Sequence, residues 1–245
     1  MFEDVRARLN WAVQRIESIP DEFCKLQEGD AYQIIIEPHT PGMVLLRYKL
    51  LRPLPSGIPF LVGDAIHNLR ASLDNLAIEI VTLSGGSPTK QTGFPVGEDR
   101  QRTIAAIEAE MERTPTDIVA IIADIIQPYP GGKGAAIYAL HKLDILDKHY
   151  QPANSVRMSG IRFSGSHDGL IFKRFEVLNQ NPEMEVMVIP EAWHLDGEIE
   201  PAFAIFFDKG QPFEGHPVVE TLQGLSQTIL GAIEAIEVAA PLDWR

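Results

Sequence analysis

The chain has 245 residues, 45% of them hydrophobic and 22% charged, which is typical of a folded globular protein. Its net charge of −13 repels phosphate backbones, so broad, non-specific nucleic-acid binding is not expected. The single cysteine excludes an internal disulfide and a thiolate zinc cage, and it fits a reducing compartment. No apolar stretch approaches the roughly 20 residues of a membrane span, and no export signal is visible. We therefore predict a cytoplasmic protein with no membrane partner.

The first predicted elements are a helix, a hairpin and a second helix. Apolar residues recur at helical spacing over residues 2–28. Two strand-like runs follow, Tyr32–Glu37 and Met43–Leu51, and the turn residues between them indicate a β-hairpin. The stretch Arg52–Pro59 is predicted to be a non-helical connector, because proline lacks an amide donor and biases its neighbour towards extended backbone. It leads into a helix over Gly63–Val81.

The rest of the chain is predicted to hold more helices and a group of strands. Helices are expected over about 101–113, 115–127 and Gly134–His149, where glycine and proline separate them. A long amphipathic helix is expected over Pro217–Ala239. Four strand-like runs between these last two helices indicate an antiparallel meander. The runs are Val156–Phe163, Leu170–Val177, Glu185–Ile189 and Ala202–Phe207.

The order of these elements favours an α+β fold, because the strands are grouped and do not alternate with helices. We predict a helical bundle with an appended antiparallel β-meander and a small N-terminal hairpin. The chain is expected to form a single domain over 1–245. Its helical core would comprise 1–28, 61–149 and 217–240, and its β-rich part 153–208.

The helix Gly63–Val81 has one apolar side and one unusual polar side. At about 100° per residue, the apolar positions fall together and are predicted to face the core; they are Ile66, Leu69, Leu73, Leu76, Ala77 and Ile80. The other side carries short polar residues where a solvated helix usually carries long charged ones: Asp64, His67, Asn68, Arg70, Asp74 and Asn75. Such residues are mediocre helix formers unless they have partners. We therefore expect a second layer over this side.

The helix Gly134–His149 is the candidate for that layer. His141, Asp144 and Lys148 lie at positions i, i+3 and i+7 and so share one face, with His149 at the end of the helix. If two helices of a bundle face each other here, their acidic, basic and imidazole groups come together. Three interpretations of this cluster stay open.

The first interpretation is a metal-dependent hydrolase. Metal sites in helical bundles take paired ligands, three residues apart, from facing helices. The four ligands would be Asp64, His67, His141 and Asp144.

The second interpretation is a metal-free nuclease or phosphotransfer site. Arg70 would hold a phosphate, because a guanidinium group binds phosphate in a fork, and histidine would act as acid and base, because imidazole titrates near neutrality. The predicted catalytic residues are His67, Arg70 and His149, with His141 as a further acid or base. The predicted binding residues are Asp64, Asn68, Asp74, His141, Asp144 and Lys148.

The third interpretation is a non-catalytic interaction module, in which the polar groups form a hydrogen-bonded network that sets the register of two helices. The sequence requires no cofactor. It leaves the ligand, the partners and a homo-oligomeric state open, and it does not decide whether the protein is an enzyme.

Two segments carry a resemblance to known families. They are Gly63–Ala77, with the sequence GDAIHNLRASLDNLA, and Leu143–His149, with the sequence LDILDKH. They resemble a family of bacterial and phage proteins that share a GDxxHNLRxxLDxLA helix and a later LDxxDKH segment, and that have no established activity.

The first segment is also similar to HEPN helical domains, which implies a nucleotide- or RNA-related role. Many HEPN domains are RNases that use an arginine followed by four to six residues and then a histidine. The corresponding positions after Arg70 are Asn75, Leu76 and Ala77. The resemblance therefore implies a degenerate site unless His67 or His149 substitutes for the missing base.

The run Gly131-Gly132-Lys133-Gly134 precedes a predicted helix, where free backbone amides can bind an anion. No strand precedes the run, and no serine or threonine follows the lysine, so it is not a Walker motif. A flexible break between helices is the favoured interpretation.

Overall fold

The computed structural model describes residues 1–27, 32–51, 57–149, 154–163, 169–171, 175–177, 183–192, 199–241 and 244. These residues form six α-helices and two antiparallel sheets. The α+β class predicted from the sequence is confirmed. Within the described ranges, none of the helices combines the length and apolarity needed to cross a membrane.

The helices occur where the apolar periodicity predicts them. In chain order they are α1 (Glu3–Gln27), α2 (Gly57–Leu83), α3 (Arg100–Glu110), α4 (Thr116–Ala120), α5 (Ala135–His149) and α6 (Val218–Ala239). The helix expected over 115–127 changes character partway, because a π-helical segment, Ile121–Ile126, continues α4. It ends at Gln127, which has a left-handed backbone conformation.

Helix α2 begins earlier than predicted, at Gly57. The prediction of a non-helical connector is therefore wrong for residues 57–59, while residues 52–56 lie outside the described part of the chain. The reason is the position of Pro59 within the helix. Pro59 lies in the first turn of α2, where the amides have no partner within the helix, so the missing donor costs nothing.

The strands form two separate antiparallel sheets. They are β1 (Tyr32–Thr40), β2 (Met43–Leu50), β3 (Asn154–Phe163), β4 (Gly169–Ile171), β5 (Phe175–Val177), β6 (Glu183–Pro190) and β7 (Ile199–Phe207). The predicted hairpin is β1 and β2, and its sheet has the order β1-β2-β6. In the other sheet, β3 pairs with β4, β5 and β7.

The strand pairing differs from the predicted four-stranded meander. Strand β6 pairs with β2 of the N-terminal hairpin, so that Val188 lies opposite Leu45. In addition, the run Leu170–Val177 divides into β4 and β5. Alternating side chains identify a strand, but its partner is set by whichever sheet edge offers unpaired backbone groups. Here β6 covers the edge of β2.

Helix α2 is central and packs against α1, α5 and α6. Its apolar side is fully buried, as predicted, at Ile66, Leu69, Leu73, Leu76, Ala77 and Ile80. These residues belong to one hydrophobic cluster, which Ile205 and Phe207 of β7 join. Burial of each large apolar side chain contributes roughly 1.5–3 kcal/mol. The core therefore holds α2 rigidly and fixes the direction in which its polar side points.

Candidate functional site

The polar side of α2 lies between α1 and α5, and its residues have different partners on the two flanks. Asn68 contacts α1, whereas His67 contacts α5. Arg70 and Asp74 bind the backbone of the loop residue Phe94. The polar residues of α2 therefore form three clusters, one at α1, one at α5 and one at the loop that contains Phe94.

The first cluster is a dyad of His67 and Asp144, which joins α2 to α5. The Nδ1 atom of His67 lies 3.3 Å from Oδ1 of Asp144. The Asp144 side chain is 4% exposed, whereas that of His67 is 51% exposed. With its proton on Nδ1, the imidazole donates to the carboxylate and keeps Nε2 as an acceptor on the opposite edge of the ring. A buried carboxylate that orients a half-exposed imidazole is the arrangement of a general base.

The second cluster is the Arg70–Asp74 clamp. Nη2 of Arg70 lies 2.7 Å from Oδ1 of Asp74 and donates a hydrogen bond of 2.8 Å to the carbonyl oxygen of Phe94. The same Asp74 oxygen accepts the amide of Phe94 at 2.9 Å. The neighbouring Gly93 allows this close approach, since a Cβ there would stand 3.1 Å from Asp74 Oδ1. The clamp therefore satisfies both backbone groups of Phe94.

The clamp leaves little of Arg70 available for a ligand. The residue is 7% exposed, and its Nη1 atom is buried with no hydrogen-bond partner among the described residues. A buried donor without an acceptor is unfavourable by roughly 1–3 kcal/mol. The bidentate phosphate fork expected from the sequence is not available, because Nη2 is already engaged.

Two further titratable groups lie in the electrostatic field of this clamp. Burial, followed by the positive charge of Arg70, lowers the pKa of His141 to about 4. Burial also raises the pKa of Glu110, with the charge of Arg70 opposing the increase and that of Asp74 adding to it. His141 is therefore neutral at pH 7 and is not the acid of a reaction at that pH.

The low pKa of His141 predicts a specific pH dependence of stability. The unfolded chain binds a proton at this residue near pH 6.5, whereas the folded chain does so only near pH 4. Stability should therefore fall as the pH drops through this window and be unaffected by His141 above it. Because the side chain is partly exposed, we expect about 1 kcal/mol between pH 7 and pH 5.

Urea unfolding of the wild type and His141→Gln at both pH values measures this effect. The variant should lose less stability than the wild type on acidification, because glutamine does not titrate. Equal losses in the two proteins would contradict the assignment.

The metal site expected from the sequence is not assembled. Asp64 turns towards α1, where its Oδ2 atom lies 3.0 Å from Nε of Arg15. Across the described ranges, no three His, Cys, Asp or Glu side chains are arranged to hold a metal ion. The predicted ligands Asp64 and His67 are separated because α2 has a different helix on each flank. Of the four predicted ligands, His67 and Asp144 are in contact.

The last two predicted site residues, Lys148 and His149, lie in the final turn of α5. Their side chains fall outside the described part of the structure. The binding role of Lys148 and the catalytic role of His149 therefore stay predictions.

The loop before α5 uses its own amides and does not form an anion cradle. The amide of Lys133 donates to Oε1 of Gln127 at 3.1 Å, and that of Gly134 donates to the Gln127 carbonyl oxygen at 3.2 Å. The amide of Ala135 donates to the carbonyl oxygen of Gly132 at 3.1 Å. These hydrogen bonds hold the loop against the end of the π-helical segment.

This packing predicts that Gly134→Ala destabilises the protein. A Cβ at this position would stand 2.5 Å from the carbonyl oxygen of Ile126, so the backbone would have to move. Such overpacking lowers the free energy of unfolding by about 2 kcal/mol. Gly224→Ala in α6 is the matched control, because a Cβ there meets nothing within 4 Å. The control should be neutral or stabilising, and equal effects in urea unfolding would contradict the prediction.

Sequence reasoning missed the partners that other elements supply to α2. These are Phe94 in the loop, and Arg8 and Arg15 on α1, which contact Asn68 and Asp64. The two arginines are seven residues apart on the predicted first helix, and this spacing was the available signal. The loop carried no comparable signal, because its backbone supplies the contacts.

Comparison of the chain with protein-family models, with curated proteins and with solved structures found no match.

Proposed function

We propose that this chain is a HEPN-like helical protein that acts on RNA, with His67 as a metal-independent general base that Asp144 positions. The observation that carries the proposal is the dyad, in which a 51% exposed imidazole is bound through Nδ1 to a 4% exposed carboxylate. The carboxylate holds the ring in one orientation. Nε2 is then free to take a proton from a substrate.

RNA suits a site with one general base, because its nucleophile is internal. Nε2 of His67 would take the proton of the 2′-hydroxyl, whose oxygen attacks the adjacent phosphorus. The bond from phosphorus to the 5′-oxygen breaks, and this leaving group takes a proton from water or from the imidazolium. The products are a 2′,3′-cyclic phosphate and a 5′-hydroxyl. DNA lacks the nucleophile and would not react.

The resemblance to HEPN domains supports RNA as the substrate class. The catalytic histidine of that pattern is missing at positions 75–77, and His67 lies one turn before Arg70 on the same side of α2. The Asp74 carboxylate, 2.7 Å from Nη2 of Arg70, offsets the positive charge of the arginine. We therefore propose that phosphate binding at this point is weak and that Arg70 mainly positions the loop. A cytoplasmic location is part of the proposal, and Cys24 is a free thiol that suits it.

The proposal is tested by incubating the protein with single-stranded RNA of mixed sequence in the presence of EDTA. We expect cleavage that leaves 2′,3′-cyclic phosphate ends, identified by mass spectrometry, and no cleavage of DNA of the same sequence. Absence of cleavage for every RNA tested, or equal cleavage of DNA, would count decisively against an RNase.

A non-catalytic interaction module is the second candidate, and the Arg70–Asp74 clamp favours it. Its polar groups bind the protein's own backbone at Phe94, as expected of a structural network. On this reading, substitutions in the clamp change stability, and no nucleotide or RNA is bound.

A further inference from the structure

A groove of about 610 Å³ lies between α1 and α2. Asn68, which lines it, directly follows His67. The other lining residues come from both helices and are mostly polar: Asp4, Ala7, Arg8, Trp11 and Asn75. None of them belongs to the His67–Asp144 dyad or to the Arg70–Asp74 clamp.

The groove presents a large aromatic ring to solvent. Trp11 is 47% exposed, and the guanidinium carbon of Arg15 lies 4.3 Å from its ring centroid. No described residue accepts a hydrogen bond from its indole N–H. Nε of Arg15 lies 3.0 Å from Oδ2 of Asp64, so the guanidinium that covers one face of the ring is ion-paired. An exposed indole with one face packed against a guanidinium can stack its other face on a planar ligand.

The polar groups of the groove are also incompletely used. Nη1 of Arg8 donates to Oδ1 of Asn68 at 3.3 Å, and within the described ranges no carboxylate forms an ion pair with it. The amide of Asn75 has no hydrogen-bond partner in the same ranges. A cation without an acidic partner is notable in a chain with 34 acidic and 21 basic residues. Asp4 adds one negative charge to the groove, which disfavours a polyphosphate more strongly than a single phosphate group.

We propose that this groove binds a nucleoside monophosphate or one nucleotide of an RNA strand. Its base stacks on Trp11, its phosphate contacts Arg8, and the Asn75 amide hydrogen-bonds to the edge of the base. The inference rests on the proposed function and deepens it, because it assigns a nucleotide-binding surface to α2, the helix that also carries the general base. It assigns substrate binding to α1, which sequence reasoning did not connect with the site.

Calorimetric titration with adenosine 5′-monophosphate, adenosine and inorganic phosphate tests the groove. The monophosphate should bind most tightly, and Trp11→Ala should weaken that binding roughly 5- to 150-fold, as expected for one lost stacking contact. Trp11→Phe keeps an aromatic ring and should fall between the wild type and the alanine variant. Arg8→Ala should weaken binding of the monophosphate but not of adenosine. Arg102→Ala, at an exposed position on α3, is the charge-matched control and should change neither.

Unchanged affinity in the Trp11→Phe and Trp11→Ala variants would overturn the inference, as would a wild type that binds neither the monophosphate nor adenosine. Melting curves show whether Trp11→Ala is folded, and Trp11→Phe serves if it is not. The two proposals fail separately, because His67→Ala should bind the monophosphate as the wild type does. If the monophosphate binds in a way that depends on Trp11 but RNA is not cleaved, the proposed RNase activity is refuted and the groove is still a nucleotide-binding site.

Discussion

Replacing His67 with alanine is expected to lower the rate of RNA cleavage by about 10²- to 10⁴-fold, the usual contribution of a positioned general base. The loss arises because Nε2 is the proton acceptor for the 2′-hydroxyl, and alanine removes it. The side chain is 51% exposed, but it is a hydrogen-bond partner of the buried Asp144 carboxylate, so its removal should lower the free energy of unfolding by about 1 kcal/mol. Initial rates at saturating RNA in EDTA, together with urea unfolding, measure both quantities.

Two further variants test whether cleavage depends on the His67–Asp144 dyad or is lowered by removing any histidine. His39→Ala removes an exposed histidine on β1 and should cleave at the wild-type rate. Asp144→Asn should also slow cleavage, because an amide does not hold the imidazole in the same tautomer. A His67→Ala protein that cleaves as fast as the His39→Ala control would refute the assignment of His67 as the base.

Replacing Asp74 with alanine is expected to lower the free energy of unfolding by about 3 kcal/mol. Arg70 would keep its charge at 7% exposure without the carboxylate 2.7 Å away. The amide of Phe94 would also lose its acceptor. The estimate lies towards the lower end for a broken buried ion pair because Asp74 itself is 33% exposed. Urea unfolding at pH 7 measures the change.

The matched control is Asp124→Ala, which removes the carboxylate of another arginine–aspartate pair. Its side chain and that of Arg100 are 44% and 55% exposed, so water replaces the lost contact. This control should lower the free energy of unfolding far less than Asp74→Ala does. If the two variants have equal effects, the clamp does not hold the loop. A large effect of Asp74→Ala in a protein that binds no nucleotide would favour the interaction module.

Much of the helical part of the fold could be predicted from the sequence, because a helix core is a local pattern. The spacing of Leu69, Leu73 and Leu76 places them on one side of α2, and all are fully buried. The α+β class follows from the grouping of the strands along the chain. The start of α2 could not be placed as well, because Pro59 is acceptable in a first turn but not in a later one.

The site could be predicted only in part. The polar residues of the sequence indicated a site between α2 and α5. The contact between His67 and Asp144 lies there. The sequence could not show that Asp64 pairs with Arg15, since the two residues are far apart in the chain and on different helices. It could not show that Arg70 is held by the backbone of Phe94, because any residue type supplies a carbonyl oxygen.

The sequence by itself therefore determined the helices, the buried side of α2 and the set of polar residues opposite to it. Local spacing dictates these features through the geometry of a single helix. Only the tertiary structure decided that α1 and α5 divide this polar set, and that β6 joins the hairpin through β2. Such choices depend on which distant surfaces and backbone edges remain unpaired once the core has packed, and no local pattern records them.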